Sequence, residues 1–241
     1  MDKLVIIPTY NEKENIEKII RKVLSLPGGF HLLIVDDGSP DGTGNIVKGL
    51  QQEFPGTIHL LERSGKQGLG RAYIAGFQYA LQHPQYQYIF EMDADFSHNP
   101  DDLIRLHEAC VNGADMAIGS RYVRGGKLVN WPWDRKFISR GGAIYTQVIT
   151  WMPVADPTAG FVCYTRKVLD TLPLDKVQFV GYAFQIEMKY RAWKLGFKIK
   201  EVPITFIDRT EGQSKMSKGI VQEAIYGVWK MRSFHKETSR K

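Results

Sequence analysis

The chain has 241 residues, of which 43% are hydrophobic and 24% are charged, so it can bury a core and is not an intrinsically disordered protein. Its formal net charge of +6 favours a partner rich in phosphate: a nucleotide, a nucleic acid or an anionic membrane surface. No apolar run approaches the roughly 20 residues of a membrane-spanning helix, and no signal peptide precedes the first strand, so we expect a soluble or peripheral protein. Cys110 and Cys163 lie far apart without metal or redox spacing, which favours buried free thiols in a reducing compartment.

The first half of the chain alternates short apolar runs, which are typical of buried strands, with amphipathic helical patterns. Strands are predicted over residues 4–7, 30–35, 58–61 and 88–92. Helices are predicted over residues 16–24, 43–54 and 72–80, the last of them after a glycine-rich loop at 65–70.

The second half continues this alternation around a turn-rich segment at 125–135. Helices are predicted over residues 100–110, 137–149 and 182–195, and strands over 116–118, 161–164 and 202–207. Alternating strands and helices imply parallel pairing with right-handed crossovers, and the absence of a repeat or linker predicts one α/β domain. We place that domain at residues 1–215, with an attached amphipathic helix and basic tail at 216–241.

Polar clusters follow three of the predicted strands at their carboxyl ends. They are Pro8-Thr-Tyr10, Asp36-Asp37 and Asp93-Ala-Asp95. Because ligands of open α/β sheets bind outside the carboxyl ends of the strands, these clusters together predict a binding site at one edge of the sheet.

The pair Asp93 and Asp95 has two readings. Where a strand leaves the pleat, two carboxylates one residue apart can turn toward a common point, and such hard oxygen ligands suit Mg²⁺ or Mn²⁺ shared with phosphate oxygens. Taken alone, the short motif is more typical of a turn whose aspartates cap the next helix. The neighbouring polar clusters favour the metal site.

The C-terminal part carries two further candidate features. The polar segment at 208–218 contains three cations and is equally typical of a loop that closes over a polyphosphate and of a solvated surface loop. The apolar stripe at 220–231, followed by basic residues, is typical either of a helix lying on an anionic membrane or of a core-packing helix with a basic tail.

Taken together, the motifs resemble those of the dolichol-phosphate or polyprenol-phosphate mannose synthases over nearly the whole chain. That resemblance implies a GT-A fold, in which a mostly parallel, Rossmann-like sheet is flanked by helices in a single domain. The stretches that carry it are Pro8–Glu12, Val35–Gly42, Gly68–Gly70, Met92–His98, Gly119–Tyr122, Ile138–Gly141, Phe184–Met188, Val202–Arg209 and Ser214-Lys215.

The resemblance also implies roles for individual residues. The guanosine of GDP-mannose would be held by Pro8, Tyr10, Glu12, Val35 and Asp37, with Ala94 beside the nucleotide. Asp93 and Asp95 would hold Mg²⁺ or Mn²⁺. The diphosphate and the acceptor phosphate would be clamped by Arg121, Arg209 and Lys215, with Arg135 on the acceptor side. The catalytic set implied is Asp95, Arg121, Arg209 and Lys215.

The implied reaction moves mannose, with inversion, from GDP-mannose to a polyprenyl or dolichyl monophosphate. An anionic phosphate can attack without a strong base, whereas a sugar hydroxyl would need a carboxylate, for which Glu187 is a candidate at a different spacing. We expect attachment to the cytoplasmic face of a membrane through residues 220–231, or through a small membrane-anchor protein, and no nucleic-acid partner because no basic–aromatic motif is visible. The alternatives are transfer of another sugar, such as glucose, to a lipid phosphate or hydroxyl, and a non-catalytic nucleotide-sugar-binding module.

Overall fold

A computed structural model describes residues 2–208 and 226–232 of the chain. The strands are β1 (Lys3–Thr9), β2 (Phe30–Asp36), β3 (Ile58–Glu62), β4 (Tyr88–Glu91), β5 (Met116–Ser120), β6 (Lys127–Val129), β7 (Val162–Thr165), β8 (Ile199–Pro203) and β9 (Thr205–Ile207). The helices are α1 (Ile16–Leu24), α2 (Thr43–Glu53), α3 (Leu69–Gln82), α4 (Asp102–Val111), α5 (Trp133–Thr150), α6 (Arg166–Thr171) and α7 (Tyr182–Lys194), with a 3₁₀ turn at Leu174–Lys176.

The main sheet has seven strands in the order β3-β2-β1-β4-β7-β5-β8, and β6 and β9 form a separate two-stranded sheet. Strands β1 to β4 pair in parallel, as do β5 and β8. The predicted α/β architecture, a mostly parallel sheet flanked by helices in one domain, is therefore confirmed.

One strand departs from the parallel pairing that the alternation implied. Strand β7 is antiparallel to both of its neighbours, β4 and β5. The preceding turn lies at the carboxyl edge of the sheet, where Asp156 contacts Arg121 just beyond β5. Because the chain enters β7 from that edge, the strand must run back toward the opposite edge.

The core lies on both faces of the sheet. In β1, Leu4 and Ile6 pack on the face covered by α3, whereas Val5 and Ile7 pack on the face covered by α1. This is the alternation of side chains that a strand buried on both faces produces. Cys110 and Cys163 are buried and free, as predicted.

The predicted strand at 202–207 is in fact two strands. At Ile204 the chain leaves the main sheet, because its N–H donates to Ser120 while its carbonyl accepts from Lys127 at the start of β6. Strand β6 and helix α6 were not predicted, and β9 was not predicted as a strand separate from β8. All three are short, and so give little hydrophobic periodicity.

The end of the predicted C-terminal stripe is helical at residues 226–231, and the stripe residues before 226 lie outside the described part of the chain. Val228 and Met231 are buried in the core, whereas Tyr226 and Trp229 are exposed. This part of the stripe therefore packs mainly against the protein. Among the described residues, no helix combines the length and the apolar character needed to cross a bilayer.

Candidate functional site

A cavity of about 440 Å³ opens at the carboxyl edge of the sheet. Its walls come from the ends of β4 and β5, from α5, from the turn before β7, from α7 and from β9. The side chains that matter most for its chemistry are Asp93, Asp95, His98, Arg121, Trp131, Asp134, Arg135, Ser139, Thr158 and Gln185.

Asp93 and Asp95 lie in the turn that follows β4, and both line the cavity. Phe96 has a φ of 58°, which turns the chain sharply after Asp95. The N–H of Ser97 donates to Asp95 Oδ1 over 3.0 Å, and the N–H of Asp93 donates to His98 Nδ1 over 3.4 Å. These bonds hold the two carboxylates at the cavity wall.

His98 supports this turn as a neutral imidazole. It is buried, its ring stacks on Phe161 with centroids 4.9 Å apart, and burial lowers its pKa to about 4. Its Nδ1 lies 3.8 Å from Asp93 Oδ2, but an uncharged ring makes no ion pair there. The Nδ1 of His98 therefore serves as an acceptor for the backbone of the turn.

The donors at the cavity suit a hard divalent ion that is shared with a substrate. No group of three or more His, Cys, Asp or Glu side chains in residues 2–208 and 226–232 is arranged to hold a metal. Two carboxylates without further protein ligands leave coordination positions for phosphate oxygens and water, which is the usual pattern for Mg²⁺ at phosphate sites. Asp93 and Asp95 therefore fit Mg²⁺ or Mn²⁺ as ligands.

Arg121 is fixed beside the cavity by a buried ion pair. Its Nε and Nη2 donate to the two carboxylate oxygens of Asp156 over 2.7 and 2.6 Å, and its Nη2 also donates to Thr158 over 2.9 Å. The backbone N–H groups of Ala155 and Asp156 donate in turn to Glu201 on β8. The orientation of the guanidinium group is therefore set by a chain of contacts reaching back into the sheet.

Arg135, on α5, packs against the indole of Trp131. Its Nη1 donates to both oxygens of Asp208, and its guanidinium group sits 4.0 Å from the Trp131 ring centroid. The Trp131 Nε1–H is buried and has no hydrogen-bond partner among the described residues. A buried N–H in a cavity wall is an available donor for a ligand oxygen.

Beneath the carboxylates lies a fully buried polar network. Gln185 donates from Nε2 to Glu91 over 2.8 Å and accepts from Lys189 Nζ at Oε1 over 3.0 Å. Burial raises the pKa of Glu91 to about 7 and lowers the pKa of Lys189 to about 8, while the attraction between their charges opposes both shifts. These two hydrogen bonds orient the carboxamide of Gln185 with its Nε2 toward Glu91 and its Oε1 toward Lys189.

Glu187, the candidate carboxylate base, has a structural role instead. Its Oε1 accepts from Arg191, and its Oε2 accepts from the backbone N–H groups of Gln178 and Phe179. The side chain is fully buried and does not line the cavity. The α7 side chain that lines the cavity is that of Gln185, an amide and not a base.

The residues predicted to hold the nucleotide lie along the same edge, outside the cavity lining. Pro8 pairs in register with Val35. The side chain of Val35 is buried in the core, so only the backbone of Val35 faces this edge. Asp36 accepts from Thr9 and Ser39, which ties the two loops together. The loops that carry Tyr10, Glu12 and Asp37 are therefore held at fixed positions; Ala94 is buried beside them in the turn after β4.

Asp37 pairs with Arg63 at the base of these loops. Asp37 Oδ1 and Arg63 Nη1 are 2.9 Å apart, yet both atoms are buried and neither makes a hydrogen bond of good geometry. Burial raises the pKa of Asp37, and the positive charge of Arg63 partly offsets that rise. The contact is a short charge pair that does not have the geometry of a hydrogen bond.

Four of the predicted site residues, Asp93, Asp95, Arg121 and Arg135, are brought together around one cavity. Arg209 and Lys215 lie outside the described residues. Sequence reasoning missed Asp156, Gln185 and Arg63 as contributors. Gln185 stands in one of the stretches that carry the resemblance, Phe184–Met188, whereas no predicted element or motif contained Asp156 or Arg63.

Three relatives match most of the chain, and residues 4–172 match the family described as Glycosyl transferase family 2. A polyprenol monophosphomannose synthase of Mycolicibacterium smegmatis is 46% identical over 95% of this chain and 87% of its own length. An undecaprenyl-phosphate mannosyltransferase of Micrococcus luteus is 46% identical over 95% of this chain and 93% of its own length. A dolichol-phosphate mannosyltransferase of Pyrococcus furiosus is 34% identical over 98% of this chain and 65% of its own length.

Solved structures with little sequence identity share the fold. A mannosyltransferase from Pyrobaculum calidifontis, solved in complex with GDP-Man and Mn²⁺, superposes with a TM-score of 0.57 at 15% identity and covers 98% of this chain and 74% of its own. TarS 1–349 of S. aureus in complex with UDP-GlcNAc gives a TM-score of 0.59 at 16% identity, over 95% of this chain and 64% of its own.

Proposed function

Because the chain belongs to glycosyl transferase family 2, we propose that this glycosyltransferase moves mannose from GDP-mannose to a polyprenyl or dolichyl monophosphate with inversion. The observation that carries the proposal is one cavity lined by three carboxylates, those of Asp93, Asp95 and Asp134, and by the guanidinium groups of Arg121 and Arg135. Two relatives at 46% identity are named for mannose transfer to a polyprenol or its phosphate, which supports both the sugar and the lipid. A structural neighbour solved with GDP-Man and Mn²⁺ is consistent with the donor and the metal.

The nucleotide would occupy the edge formed by the loops after β1 and β2. Pro8, Tyr10, Glu12, Val35 and Asp37 would hold the guanosine there, with Ala94 beside the nucleotide. Guanine presents N–H donors on one edge, and the buried Asp37 Oδ1 is an acceptor without a good hydrogen bond. A carboxylate in that state is suited to accept from the base.

The diphosphate of the donor would extend from that edge into the cavity, toward Asp93 and Asp95. A Mg²⁺ or Mn²⁺ ion held by these two carboxylates would supply positive charge opposite the departing diphosphate. Arg121 and Arg135 add fixed guanidinium groups suited to bidentate phosphate binding. Arg209 and Lys215 remain predicted contributors to the same clamp.

The acceptor chemistry follows from what the cavity offers. Gln185 is an amide and Glu187 is fully engaged elsewhere, so neither of these two α7 side chains can serve a sugar hydroxyl as a carboxylate base. A lipid monophosphate is already anionic, so its oxygen needs alignment rather than deprotonation. A single displacement by that oxygen on the anomeric carbon inverts its configuration.

The lipid acceptor implies that the enzyme works at a membrane. We propose peripheral attachment on the cytoplasmic face, directly or through a small membrane-anchor protein. The net charge of +6 supports attraction to anionic lipids.

The decisive experiment is an assay of radiolabelled GDP-mannose with polyprenyl phosphate, with and without Mg²⁺ or Mn²⁺. We expect a labelled lipid product that depends on the metal, and an Asp95→Asn variant that loses at least about a hundredfold in rate. Asp101→Asn is the matched control, because Asp101 is a half-exposed partner of Lys22 outside the cavity. Labelled product from UDP-glucose but not from GDP-mannose would favour the other-sugar alternative, and unchanged nucleotide affinity in Asp95→Asn without any product would favour a binding module.

A further inference from the structure

Helix α5 presents most of its large apolar side chains to the outside, whereas Tyr145 and Ile149 are partly buried against the core. Trp133 is 81% exposed, Phe137 76% and Trp151, which caps the helix, 77%, and Ile144 and Val148 are exposed as well. The side chains of α5 that are buried are those of Ala143, Thr146 and Thr150. A helix that only packed on the sheet would have the opposite arrangement.

These exposed residues share one side of the helix. Trp133, Phe137, Ile144, Val148 and Trp151 recur at spacings of four, seven, four and three, which keeps them within a narrow arc at 100° per residue. We call them the α5 apolar face. From end to end it is about 27 Å long, because each residue adds about 1.5 Å.

We propose that the α5 apolar face rests on the surface of an anionic lipid bilayer. Lys136 and Arg140 are exposed on the flank of the face, where their charges can meet anionic headgroups. A tryptophan stands at each end, and indole rings favour the boundary between headgroups and hydrocarbon. A helix with an apolar face and flanking cations is the usual form of an interfacial anchor.

The charges on α5 favour lipid over a second copy of the chain. Along the length of the α5 apolar face, Arg140 stands near the middle, seven residues after Trp133 and eleven before Trp151. In a two-fold interface between copies, this arginine would approach its own counterpart at the centre, which is unfavourable without a carboxylate nearby. On a bilayer, the same guanidinium group, which lies 4.8 Å from the Tyr122 ring centroid, can meet anionic headgroups at the edge of the face.

The placement also joins the membrane to the cavity. The other sides of α5 supply Asp134, Arg135, Ile138, Ser139 and Gly142 to the cavity wall. A bilayer lying on α5 would therefore meet the mouth of the cavity at the depth of its headgroups. This inference rests on the proposed function, since it explains how a lipid phosphate reaches the cavity without leaving the membrane.

The test is sedimentation of the full chain with vesicles of phosphatidylcholine, with and without phosphatidylglycerol, in the absence of any sugar donor. We expect binding to the anionic vesicles and an affinity at least about tenfold lower for a Phe137→Ser/Val148→Ser double variant. Arg140→Glu should weaken binding to anionic vesicles only. Val111→Ser, which removes an equally exposed apolar side chain at the end of α4, should bind as the wild type does.

Two further measurements separate the possible failures. Because Phe137 and Val148 do not line the cavity, the double variant should keep wild-type activity on a short, water-soluble polyprenyl phosphate while losing activity on vesicle-embedded acceptor. Unchanged vesicle binding by the double variant would overturn the inference. So would a double variant that loses self-association instead of vesicle binding, or vesicle binding that depends on Trp229 alone. Vesicle binding that follows the expected pattern without any mannose transfer would instead overturn the proposed function.

Discussion

At the scale of single residues, the two cavity arginines are held in different ways. Arg121 pairs with Asp156, whose side chain is fully buried, whereas Arg135 pairs with Asp208, whose side chain is 22% exposed. Water can replace a lost partner in the second pair but not in the first. The two pairs therefore offer a direct comparison of one interaction in two environments.

We predict that Asp156→Ala lowers the free energy of unfolding by about 3–5 kcal/mol, because it leaves the guanidinium group of Arg121 buried without its counter-charge. Asp208→Ala, the matched control, should cost about 0–1 kcal/mol. Urea denaturation of both variants at pH 7.5 provides the measurement. Equal losses in the free energy of unfolding of the two variants would show that the buried pair of Asp156 with Arg121 contributes no more than the exposed pair does.

The Asp156→Asn variant separates the effect of Asp156 on the orientation of Arg121 from its effect on the stability of the fold. The amide keeps one acceptor for Arg121 and the fold should survive, but the guanidinium group loses the bidentate partner that orients it. We expect a fall in kcat larger than any rise in KM for the donor, since the contact acts on alignment. A change confined to KM would place Arg121 in ground-state binding only.

The sequence predicted the residues whose role depends on their position at a strand end. Asp93 and Asp95 follow an unbroken apolar strand, so their place at the sheet edge could be inferred from the pattern alone. The partner of Arg121 could not, because Asp156 lies 35 residues away, beyond β6 and α5, in the turn before β7. Contacts of this kind are set by the path of the chain through the tertiary structure and leave no local pattern.

At the scale of elements, α3 and α2 differ in how closely they approach the sheet. A Cβ on Gly76, in α3, would lie 2.6 Å from Cγ2 of Ile6, which is fully buried in β1. A Cβ on Gly49, in α2, would meet nothing within 4 Å. Gly76 is therefore required by the packing of α3 on β1, whereas Gly49 is not required by any contact of its Cβ.

The same substitution should have opposite effects in the two helices. We predict that Gly49→Ala raises the free energy of unfolding by about 0.5–1 kcal/mol, because alanine loses less backbone entropy in a helix. Gly76→Ala should lower it by about 1–3 kcal/mol, because the branched Ile6 side chain has no space to move into. Thermal and urea denaturation of both variants would check this. Stabilisation by Gly76→Ala would mean that α3 can shift away from β1 without cost.

The sequence predicted elements better than their connections. Every long helix and every strand of β1 to β5 followed from its apolar period. The direction of β7 and the pairing of β6 with β9 did not, because a strand of three or four residues has the same pattern whichever way it runs.

At the scale of the whole molecule, the two edges of the sheet differ in chemistry. The carboxyl edge carries the cavity and its charges, whereas aromatic and histidine side chains cluster near the beginnings of β2 and β3. There the Tyr86 hydroxyl lies 2.9 Å from His31 Nδ1 and 2.9 Å from His59 Nε2. One hydroxyl can donate to only one of the two rings while it accepts from the other, so this bridge requires at least one neutral imidazole.

This cluster makes the folded state sensitive to acid. Burial lowers the pKa of both His31 and His59, and for His59 the neighbouring histidines add to the effect. Below the usual histidine pKa of about 6.5, the unfolded chain therefore binds protons at these two positions, whereas the folded chain binds fewer. Their contribution to stability is complete above that pH and is lost progressively as the pH falls below it.

We predict that a His31→Gln/His59→Gln variant loses less stability than the wild type between pH 7.5 and 5.5, whatever its stability at pH 7.5. Urea unfolding at several pH values would give the two slopes. The other titrating groups with shifted pKa values, among them Glu91, whose raised pKa acts in the opposite direction, and His98, are present in both proteins and cancel in the comparison. Parallel curves would assign the acid sensitivity to the cavity edge, and the histidine edge would then be a packing feature alone.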